Sequence, residues 1–260
     1  MSIKVIQTMD VAPERMEERN GWAISEFRLP ITGETGSATT VFHSIFRPGS
    51  THAKHLHTKS DEIAVYLSGY GVVGQGDSRA VVTAGHCRMM PKGSVHFFHN
   101  ETDNEDARVI GFYMNAPDVA GTGYEFHGKV EDADIEMPRS GLNDGILVNL
   151  SDISPDGDGA SAAWSDAIVR APIGTHNGSE NALVHLTLAP GKAIAPNTMN
   201  NAEAIYFVAS GEGEVSGEPI RQESFVFVPA GSEHTIRNTG SEDLELYLVL
   251  TGAGSLSAAA

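Results

Sequence analysis

The sequence of 260 residues contains a single cysteine, Cys87. An internal disulfide is therefore impossible, and a metal cage built from several cysteines is excluded. The lone thiol agrees with a reducing compartment. The first residues also lack an uninterrupted apolar stretch followed by small residues, so we expect no secretory signal and a cytoplasmic protein. Any metal ion must be held by histidine and carboxylate side chains.

Basic residues are scarce, with 17 Lys and Arg against 34 Asp and Glu and a formal charge of -17. Such a chain repels a phosphate backbone and an anionic lipid surface, and no basic cluster offsets the charge locally. No apolar run reaches the roughly 18 residues that span a bilayer. We therefore expect neither a nucleic-acid partner nor a membrane partner.

Helical periodicity is also rare, and the clearest case is APERMEERNG at residues 12–21. Strand-like runs dominate instead, separated by turn signals such as RPGS and GQGDS. These runs include ATTVFHSIF, EIAVYLSG, HCRMM, VHFFHN and RVIGFYM. Short strands at this spacing predict an all-β protein built as a sandwich or barrel.

An internal repeat organises the chain. The segment RPGSTHAKHLHTKSDEIAVYLSGYG aligns with APGKAIAPNTMNNAEAIYFVASGEG at an offset of 142 residues, which matches Pro48 to Pro190 and Gly69 to Gly211. Further on, PKGSVHFFHN aligns with PAGSEHTIRN at an offset of 138 residues. Two copies of one β unit therefore account for most of the sequence.

The repeat and the local composition predict five segments. A stretch rich in Gly, Asp and Ser, SPDGDGASAA at residues 154–163, is typical of an exposed linker. The predicted segments are an N-terminal extension at 1–22, a first domain at 23–120, a linker at 121–163, a second domain at 164–252 and a flexible tail at 253–260.

The first copy contains candidate metal ligands. His55 and His57 lie two residues apart, so in a strand their imidazoles point to the same sheet face. The TKSD sequence that follows is a plausible hairpin turn, after which we expect Glu62 to return on the adjoining strand. His96 follows a Pro-x-Gly turn and can supply a third imidazole. A mixed nitrogen and oxygen set suits Fe(II), Mn(II), Ni(II), Co(II) or Zn(II), without choosing among them.

These residues complete two signatures that resemble those of the cupin superfamily. The first runs Gly49, five residues, His55, one, His57, four, Glu62, six, Gly69. The second runs Gly85, five residues, Pro91, one, Gly93, two, His96, three, Asn100. The resemblance implies that His55, His57, Glu62 and His96 bind the metal. It also implies a bicupin, two tandem double-stranded β-helix (jelly-roll) domains.

The second copy departs from this pattern. At the places of His55, His57 and Glu62 the repeat has other residues, namely Asn197, Met199 and Ala204. Only His234 remains, and we interpret it as a structural histidine. Since an amide and a thioether suit a divalent ion poorly, we expect one divalent transition metal per chain, held in the first domain.

Other side chains near the signatures have weaker signals. Tyr66 and Phe98 have the strand parity to face inward beside the ligands, where they bind substrate or simply fill the barrel core. Four further polar residues close in sequence are interpreted as solvated side chains, although they offer contacts for an anion. They are His52, Lys54, Arg88 and His99.

The resemblance implies a metal-dependent enzyme acting on a small molecule. We expect a dioxygenase, an oxidoreductase that combines O₂ with a small enolisable or hydroxylated substrate, with Glu62 leaving the metal to accept a substrate proton. An isomerase, lyase or decarboxylase that needs no O₂ is one alternative. A non-catalytic binding or storage protein is the other. The resemblance also implies a homodimer or a higher homo-oligomer.

Overall fold

The computed structural model describes residues 2–14, 23–155 and 162–259. The predicted helix at 12–21 and the Gly/Asp/Ser stretch at 154–163 lie largely outside them. The chain divides into two units. The N-terminal unit comprises Ala12–Gly33 and Ala38–Asn149, and the C-terminal unit comprises Met1–Val11, Glu34–Ser37 and Leu150–Ala260.

Strands are the dominant secondary structure of the described residues, which confirms the all-β prediction. Strands up to residue 149 are β1 (Lys4–Gln7), β2 (Glu26–Ile31), β3 (Thr40–Phe46), β4 (Thr51–His57), β5 (Glu62–Ser68), β6 (Tyr70–Gln75), β7 (Ser78–Thr83), β8 (His86–Met90), β9 (His96–Asn100), β10 (Ala107–Tyr113), β11 (Tyr124–Gly128) and β12 (Ile146–Asn149). The remaining strands are β13 (Ala167–Ile173), β14 (Ala182–Leu188), β15 (Ala193–Thr198), β16 (Glu203–Ser210), β17 (Glu212–Val215), β18 (Glu218–Arg221), β19 (Ser224–Val228), β20 (Glu233–Asn238) and β21 (Leu244–Thr251).

Helices are short. Two α-helical turns, α1 (Asp132–Ile135) and α2 (Leu256–Ala259), are present in the described part of the chain. The 3-10 turns there are Thr8–Asp10, Gly33–Thr35, Ala120–Thr122, Leu150–Asp152, Ala162–Trp164 and Thr175–Asn177. None of the described helices has the length and apolar character needed to cross a membrane.

Two antiparallel sheets form the N-terminal unit. One has the order β12-β8-β5-β10-β3-β2 and the other the order β11-β4-β9-β6-β7. Phenylalanine and tyrosine rings dominate the interior, as where Phe98 lies with its ring centroid 5.0 Å from that of Phe46 and 5.3 Å from that of Tyr66. This aromatic interior is the jelly-roll core, and the candidate ligands lie beside it.

The C-terminal unit repeats the arrangement with sheets ordered β1-β19-β16-β21-β14-β13 and β15-β20-β17-β18. Strands β3 and β14, like β10 and β21, occupy corresponding places in the two sheet orders. The interior here is mostly aliphatic, formed by valine, leucine and isoleucine side chains. The two predicted jelly rolls are confirmed. They differ in the side chains of their cores, which are rich in aromatic rings in the N-terminal unit and mostly aliphatic in the C-terminal unit.

The glycine spacing that recurs in the two copies has a conformational cause. Gly69 and its counterpart Gly211 have φ angles of 87° and 83°, a region that favours glycine. A Cβ atom on Gly69 would also lie 2.6 Å from the Cα atom of Ala107, and one on Gly211 would lie 2.5 Å from the carbonyl oxygen of Asp243. Both turns therefore require glycine, which is why this part of the signature survives in each copy.

The segment predicted as a linker contributes strands to the N-terminal unit. Strand β11 pairs with β4, and β12 pairs with β8. The predicted N-terminal extension likewise contains β1, which pairs with β19 in the C-terminal unit. These strands cover sheet edges that would otherwise present unpaired N–H and C=O groups. Strands of four or five residues are too short to show a clear periodicity, which is why the sequence did not identify them.

Candidate metal centre

Three strands bring the candidate ligands together. Strand β4 carries His55 and His57, β5 begins at Glu62, and β9 begins at His96, which lies opposite His55 in the pairing of β4 with β9. All four side chains are buried, and one nitrogen or oxygen atom from each lies within 4.8 Å of the others. The cluster can hold a metal ion.

The expected hairpin between His57 and Glu62 is wrong. Strand β4 belongs to the five-stranded sheet, where it pairs with β9 and β11, whereas β5 belongs to the six-stranded sheet, where it pairs with β8 and β10. The turn at Thr58–Asp61 therefore carries the chain from one sheet to the other. As a result Glu62 approaches the histidines across the barrel interior, since the inner faces of the two sheets point at each other.

Hydrogen bonds set the orientation of the imidazole rings. Nδ1 of His55 lies 2.7 Å from the carbonyl oxygen of Ala53, and Nδ1 of His96 lies 2.9 Å from that of Ser94. A carbonyl only accepts, so each Nδ1 carries the proton and donates it. In a neutral imidazole the Nε2 atom then presents a lone pair, which is the form that binds metal ions.

The donor set fits a cation. Nε2 of His57 and Nε2 of His96 lie 3.2 and 3.1 Å from Oε2 of Glu62. Burial raises the pKa of Glu62, but His57 and His96 donate hydrogen bonds to the carboxylate when their Nε2 atoms are also protonated, and this outweighs burial and holds the pKa well below its usual value. Burial lowers the pKa of His96, against the raising effect of Glu62. A buried carboxylate surrounded by imidazole lone pairs requires positive charge, supplied by protons or by a metal ion.

A small cavity of about 20 Å³ lies beside Glu62 and His96. Tyr66 and Phe98 both line it, and both are buried. Their expected place beside the ligands thus matches the structure, while substrate binding by them stays a prediction. The volume is close to that of one water-sized molecule.

Arg88 also lines this cavity, and its expected exposure is wrong because its side chain is 1% exposed. Its guanidinium donates to the carbonyl oxygens of Phe97 and Gly74, at 3.3 and 2.8 Å, and to Oε1 of Gln75 at 3.1 Å. All three acceptors are neutral. The charge of Arg88 is therefore buried without a hydrogen-bonded carboxylate among the described residues.

His52 is buried as well, contrary to expectation. The pairing of β4 with β9 shifts register between His52 and His55, so that both rings lie on the same side. The two rings stack at a centroid distance of 4.1 Å, and burial lowers the pKa of His52 to about 3. Of the other two residues interpreted as solvated, Lys54 forms a half-buried ion pair with Asp134 at 2.7 Å and His99 is half-buried.

Three residues near the ligands were missed by sequence reasoning. The ring of Tyr113 lies 4.8 Å from that of His57, and the ring of Tyr124 lies 5.4 Å from that of His55. Thr122 contacts His57 directly. Tyr113 lies within the predicted strand RVIGFYM, so strand parity was an available signal. Thr122 and Tyr124 lie in the predicted linker, where the sequence has no pattern to reveal them.

The corresponding positions of the C-terminal unit do not form such a cluster. The Asn197 side-chain amide donates to the carbonyl oxygen of Ala195 at 3.1 Å, and Met199 is buried in the apolar core. Glu203, beside Ala204, accepts a 2.7 Å hydrogen bond from Ser37. Within the described residues, the ligand group of the N-terminal unit is the one cluster of three or more His, Cys, Asp or Glu side chains able to hold a metal.

Comparison with known proteins identifies the family. The model of the cupin domain matches residues 42–113 and 184–250, one match in each unit and together more than half of the chain. Oxalate oxidase GF-3.8 from Triticum aestivum is 28% identical over 109 residues, which cover 38% of this chain and 49% of that protein. Germin-like protein 3-5 from Oryza sativa subsp. japonica is 30% identical over 82 residues, which cover 28% and 36%. The chain thus spans about half the length of the oxalate oxidase, and less of the germin-like protein.

Solved structures share the fold over nearly the whole chain. The oxalate decarboxylase of Lactobacillus farciminis, in a formate complex, superposes with a TM-score of 0.71 at 15% identity and covers 96% of this chain and 87% of its own. The 11S globulin from Wrightia tinctoria superposes with the same TM-score and identity and covers 97% and 84%. At such identity the likeness concerns the fold alone.

Proposed function

The chain belongs to the cupin family, and from this premise we propose that its N-terminal unit holds the metal centre of an oxidoreductase acting on a small organic anion. A dioxygenase is the leading reaction class. The proposal rests on one observation, the convergence of three imidazoles and one carboxylate within 4.8 Å inside the barrel. A barrel that served only as a scaffold would have no need of four buried polar groups in contact.

In this proposal His55, His57, Glu62 and His96 hold one divalent ion, chosen from Fe(II), Mn(II), Ni(II), Co(II) and Zn(II). Such an ion acts as a Lewis acid toward a substrate oxygen and, where redox-active, supports reaction with O₂. The carboxylate of Glu62 accepts a proton from the substrate, for which its place at the cavity wall suits it. The three histidines hold their rings in place through Nδ1 and contribute no proton.

Charge supports an anionic substrate. Glu62 contributes one negative charge to the cavity and Arg88 one positive charge, so that a divalent ion leaves the buried site with an excess of positive charge. Burial strengthens the electrostatic attraction of this positive charge for an anion because the surrounding dielectric is low. A carboxylate neutralises the excess positive charge at the least desolvation cost, since it also accepts charge-assisted hydrogen bonds. We therefore narrow the enolisable or hydroxylated substrate to a small carboxylic acid.

Size supports the same class. The cavity of about 20 Å³ is walled by aromatic side chains, including Tyr66 and Phe98, and leaves little room for a bulky group. A substrate with few atoms fits such a site best. The similarity to oxalate oxidases, at 28% identity, agrees with a small dicarboxylate as substrate.

The test combines metal analysis with an oxygen assay. The protein is purified without added metal, its transition ions are measured by mass spectrometry, and O₂ consumption and CO₂ release are followed with a panel of small carboxylates that includes oxalate. We expect a bound redox-active ion and turnover that stops under anaerobic conditions. Glu62→Gln should abolish turnover, whereas the matched change Glu203→Gln in the C-terminal unit should leave it intact.

Each other outcome favours a different function. CO₂ release that continues without O₂ contradicts the dioxygenase and supports a decarboxylase, lyase or isomerase. A bound ion with carboxylate binding but no turnover supports a binding protein. Purified protein that neither contains nor takes up a transition ion contradicts the metal centre itself.

A further inference from the structure

A short stretch of the former linker region lies against the ligand-bearing strand β4. We call residues 119–124 the strap. The backbone N–H groups of Thr58 and Lys59 donate to the carbonyl oxygens of Gly123 and Thr122, each at 3.0 Å. Strand β11 then begins at Tyr124, opposite His57. The strap is thus attached to the turn that immediately follows a candidate ligand.

Within the strap, Thr122 is fully buried although most of its neighbours are not. Its hydroxyl lies 2.7 Å from the carbonyl oxygen of Val119 and 2.9 Å from Nδ1 of His57. The carbonyl only accepts, so it takes the single hydroxyl proton of Thr122. The hydroxyl oxygen then accepts from His57, which places a proton on Nδ1.

The proton on Nδ1 determines whether Nε2 of His57 presents a lone pair or an N–H group to the barrel interior. With Nδ1 protonated, the neutral ring has its lone pair on Nε2, which lies 3.2 Å from Oε2 of Glu62. The opposite tautomer would turn an N–H toward the cluster and would leave the Thr122 oxygen without a donor. The Val119, Thr122 and His57 chain of hydrogen bonds therefore selects one tautomer and one ring orientation.

His57 differs in this respect from the other two histidines. His55 and His96 donate from Nδ1 to carbonyl oxygens two residues earlier in the chain, so the local backbone orients them. His57 depends on a side chain 65 residues away. Neither signature contains that side chain, and the metal-ligating spacing alone does not orient this ring.

We infer that Thr122 is a positioning residue, which holds His57 in the tautomer and orientation that bind a divalent cation. The inference rests on the proposed metal centre and adds a residue that acts through a ligand without touching the ion. Partners of this kind typically change metal affinity about 10- to 100-fold when removed. The strap would then be part of the metal site.

The experiment measures binding of Mn(II) and Co(II) to metal-stripped protein by titration calorimetry and, for cobalt, by visible absorption. Thr122→Val removes the hydroxyl at nearly constant volume, and Thr122→Ser retains it. The matched control is Thr58→Val, which removes a hydroxyl that also bonds the strap, donating to Gly123 at 3.1 Å, but that touches no ligand. Circular dichroism and thermal unfolding report on the fold of each variant.

We expect Thr122→Val to weaken binding of both ions about 10- to 100-fold and to change the cobalt spectrum. Thr122→Ser and Thr58→Val should bind like the wild type. Nitrogen NMR of the stripped wild-type protein should show a proton on Nδ1 of His57, and Thr122→Val should lose this preference. If the valine variant does not fold, Thr122→Ala provides the same comparison.

Two results overturn the inference in different ways. If the wild type binds metal and the folded hydroxyl-deleted variant binds it as tightly, the positioning role is wrong and the proposed function stands. Equal weakening in Thr58→Val also contradicts it, since the strap and not the His57 contact would then matter. If the wild type binds neither ion, the proposed metal centre fails, and the role of Thr122 fails with it.

Discussion

The hydroxyl of Tyr206 donates a hydrogen bond of 2.7 Å to Nε2 of His234 in the interior of the C-terminal unit. His234 bonds the carbonyl oxygen of Ser232 through Nδ1, just as His96 bonds that of Ser94, so both rings present Nε2 inward. The repeat aligns Tyr206 with Ala64, whose small side chain lines the cavity of the N-terminal unit. In the C-terminal unit the Tyr206 hydroxyl therefore hydrogen-bonds the Nε2 lone pair of His234. In the N-terminal unit no such phenol stands at this position, and the Nε2 lone pair of His96 remains for a cation.

The first prediction concerns stoichiometry. Because Tyr206 occupies the partner position of His234, we expect metal analysis to find about one transition ion per chain. His96→Gln should reduce this value strongly, whereas the matched change His234→Gln should leave it near that of the wild type. Two ions per chain, or equal losses in both variants, would show that the C-terminal unit binds metal as well.

The second prediction tests the hydrogen bond itself. Tyr206→Phe removes the donor and leaves a buried acceptor on His234, which should lower the free energy of unfolding by about 1–3 kcal/mol. Chemical denaturation measures the change, and metal content should not alter. Adding His234→Leu removes the second polar partner, so the double variant should regain part of the loss. A double variant that loses the sum of both single effects would contradict this account.

The third prediction concerns acid stability. Burial, with a smaller effect of the Arg170 charge, lowers the pKa of His185 from 6.5 to about 4. Below pH 6.5 the unfolded chain takes up a proton that the folded chain refuses, so this histidine reduces stability as the pH falls from about 6.5 to about 4. Phenylalanine at this position removes that effect, which amounts to at most about 3 kcal/mol.

The measurement compares urea denaturation of the wild type and His185→Phe at pH 7.5 and pH 4.5. The variant should lose less stability on acidification. His176→Phe alters an exposed histidine and serves as the control, since we expect it to follow the wild type. An unchanged pH dependence in His185→Phe would mean that the buried ring does not resist protonation.

The fourth prediction follows from a comparison of turns. Gly85 has a φ of 86°, and its counterpart in the second copy is Glu223 with a φ of 66°, a region that disfavours side chains. The backbone N–H groups of both residues donate at 2.9 Å to equivalent carbonyl oxygens, those of Tyr66 and Val208. Glu223→Gly keeps this bond and should raise the free energy of unfolding by about 0.5–1 kcal/mol.

Thermal unfolding measures that gain, which should appear as a higher midpoint temperature. Glu218→Gly changes an exposed residue of β18 that has no positive φ, so it should lower the midpoint. Equal effects of the two substitutions would show that the backbone conformation at Glu223 carries no penalty.

The fifth prediction assigns Arg88 to substrate affinity. Arg88→Met removes the buried charge at the cavity, and we expect KM for small carboxylates to rise at least about tenfold, as loss of a charged hydrogen bond does. Bound metal should stay unchanged, because Arg88 is not among the candidate ligands. Lys92→Met changes an exposed cation near the second signature and should alter neither quantity. A parallel loss of metal would instead indicate a structural role for Arg88.

Sequence reasoning identified the cluster because its geometry is largely local. His55 and His57 share a face of one strand, and turns that require positive φ, such as the one at Gly69, limit where each strand begins and ends. Asn100 and Asn238 bond equivalent carbonyl oxygens, those of Phe46 and Leu188, which explains why the same asparagine stands in both copies. The spacing of these residues along the sequence therefore indicates the strand faces, the turns and the asparagine hydrogen bonds without knowledge of the tertiary structure.

Sequence reasoning failed where the partner lies far along the chain. It placed Glu62 on a hairpin with His57, and it treated Arg88 as solvated. Arg88 is buried because carbonyl oxygens of two other strands accept its hydrogen bonds, an arrangement that no local pattern encodes. Thr122 is close to His57 for the same kind of reason, since pairing of β11 with β4 brings it there.

The amino-acid sequence alone determined the all-β class, the duplication, the cupin resemblance and the four side chains that meet, because alternation along strands and glycine-dependent turns are properties of short segments. Only the tertiary structure decided which strands cover the sheet edges, which sheet presents Glu62, and which distant hydroxyl orients His57. The physical reason is that backbone hydrogen bonding between strands is nearly independent of side-chain identity, so that long-range pairing is selected by packing of the whole barrel.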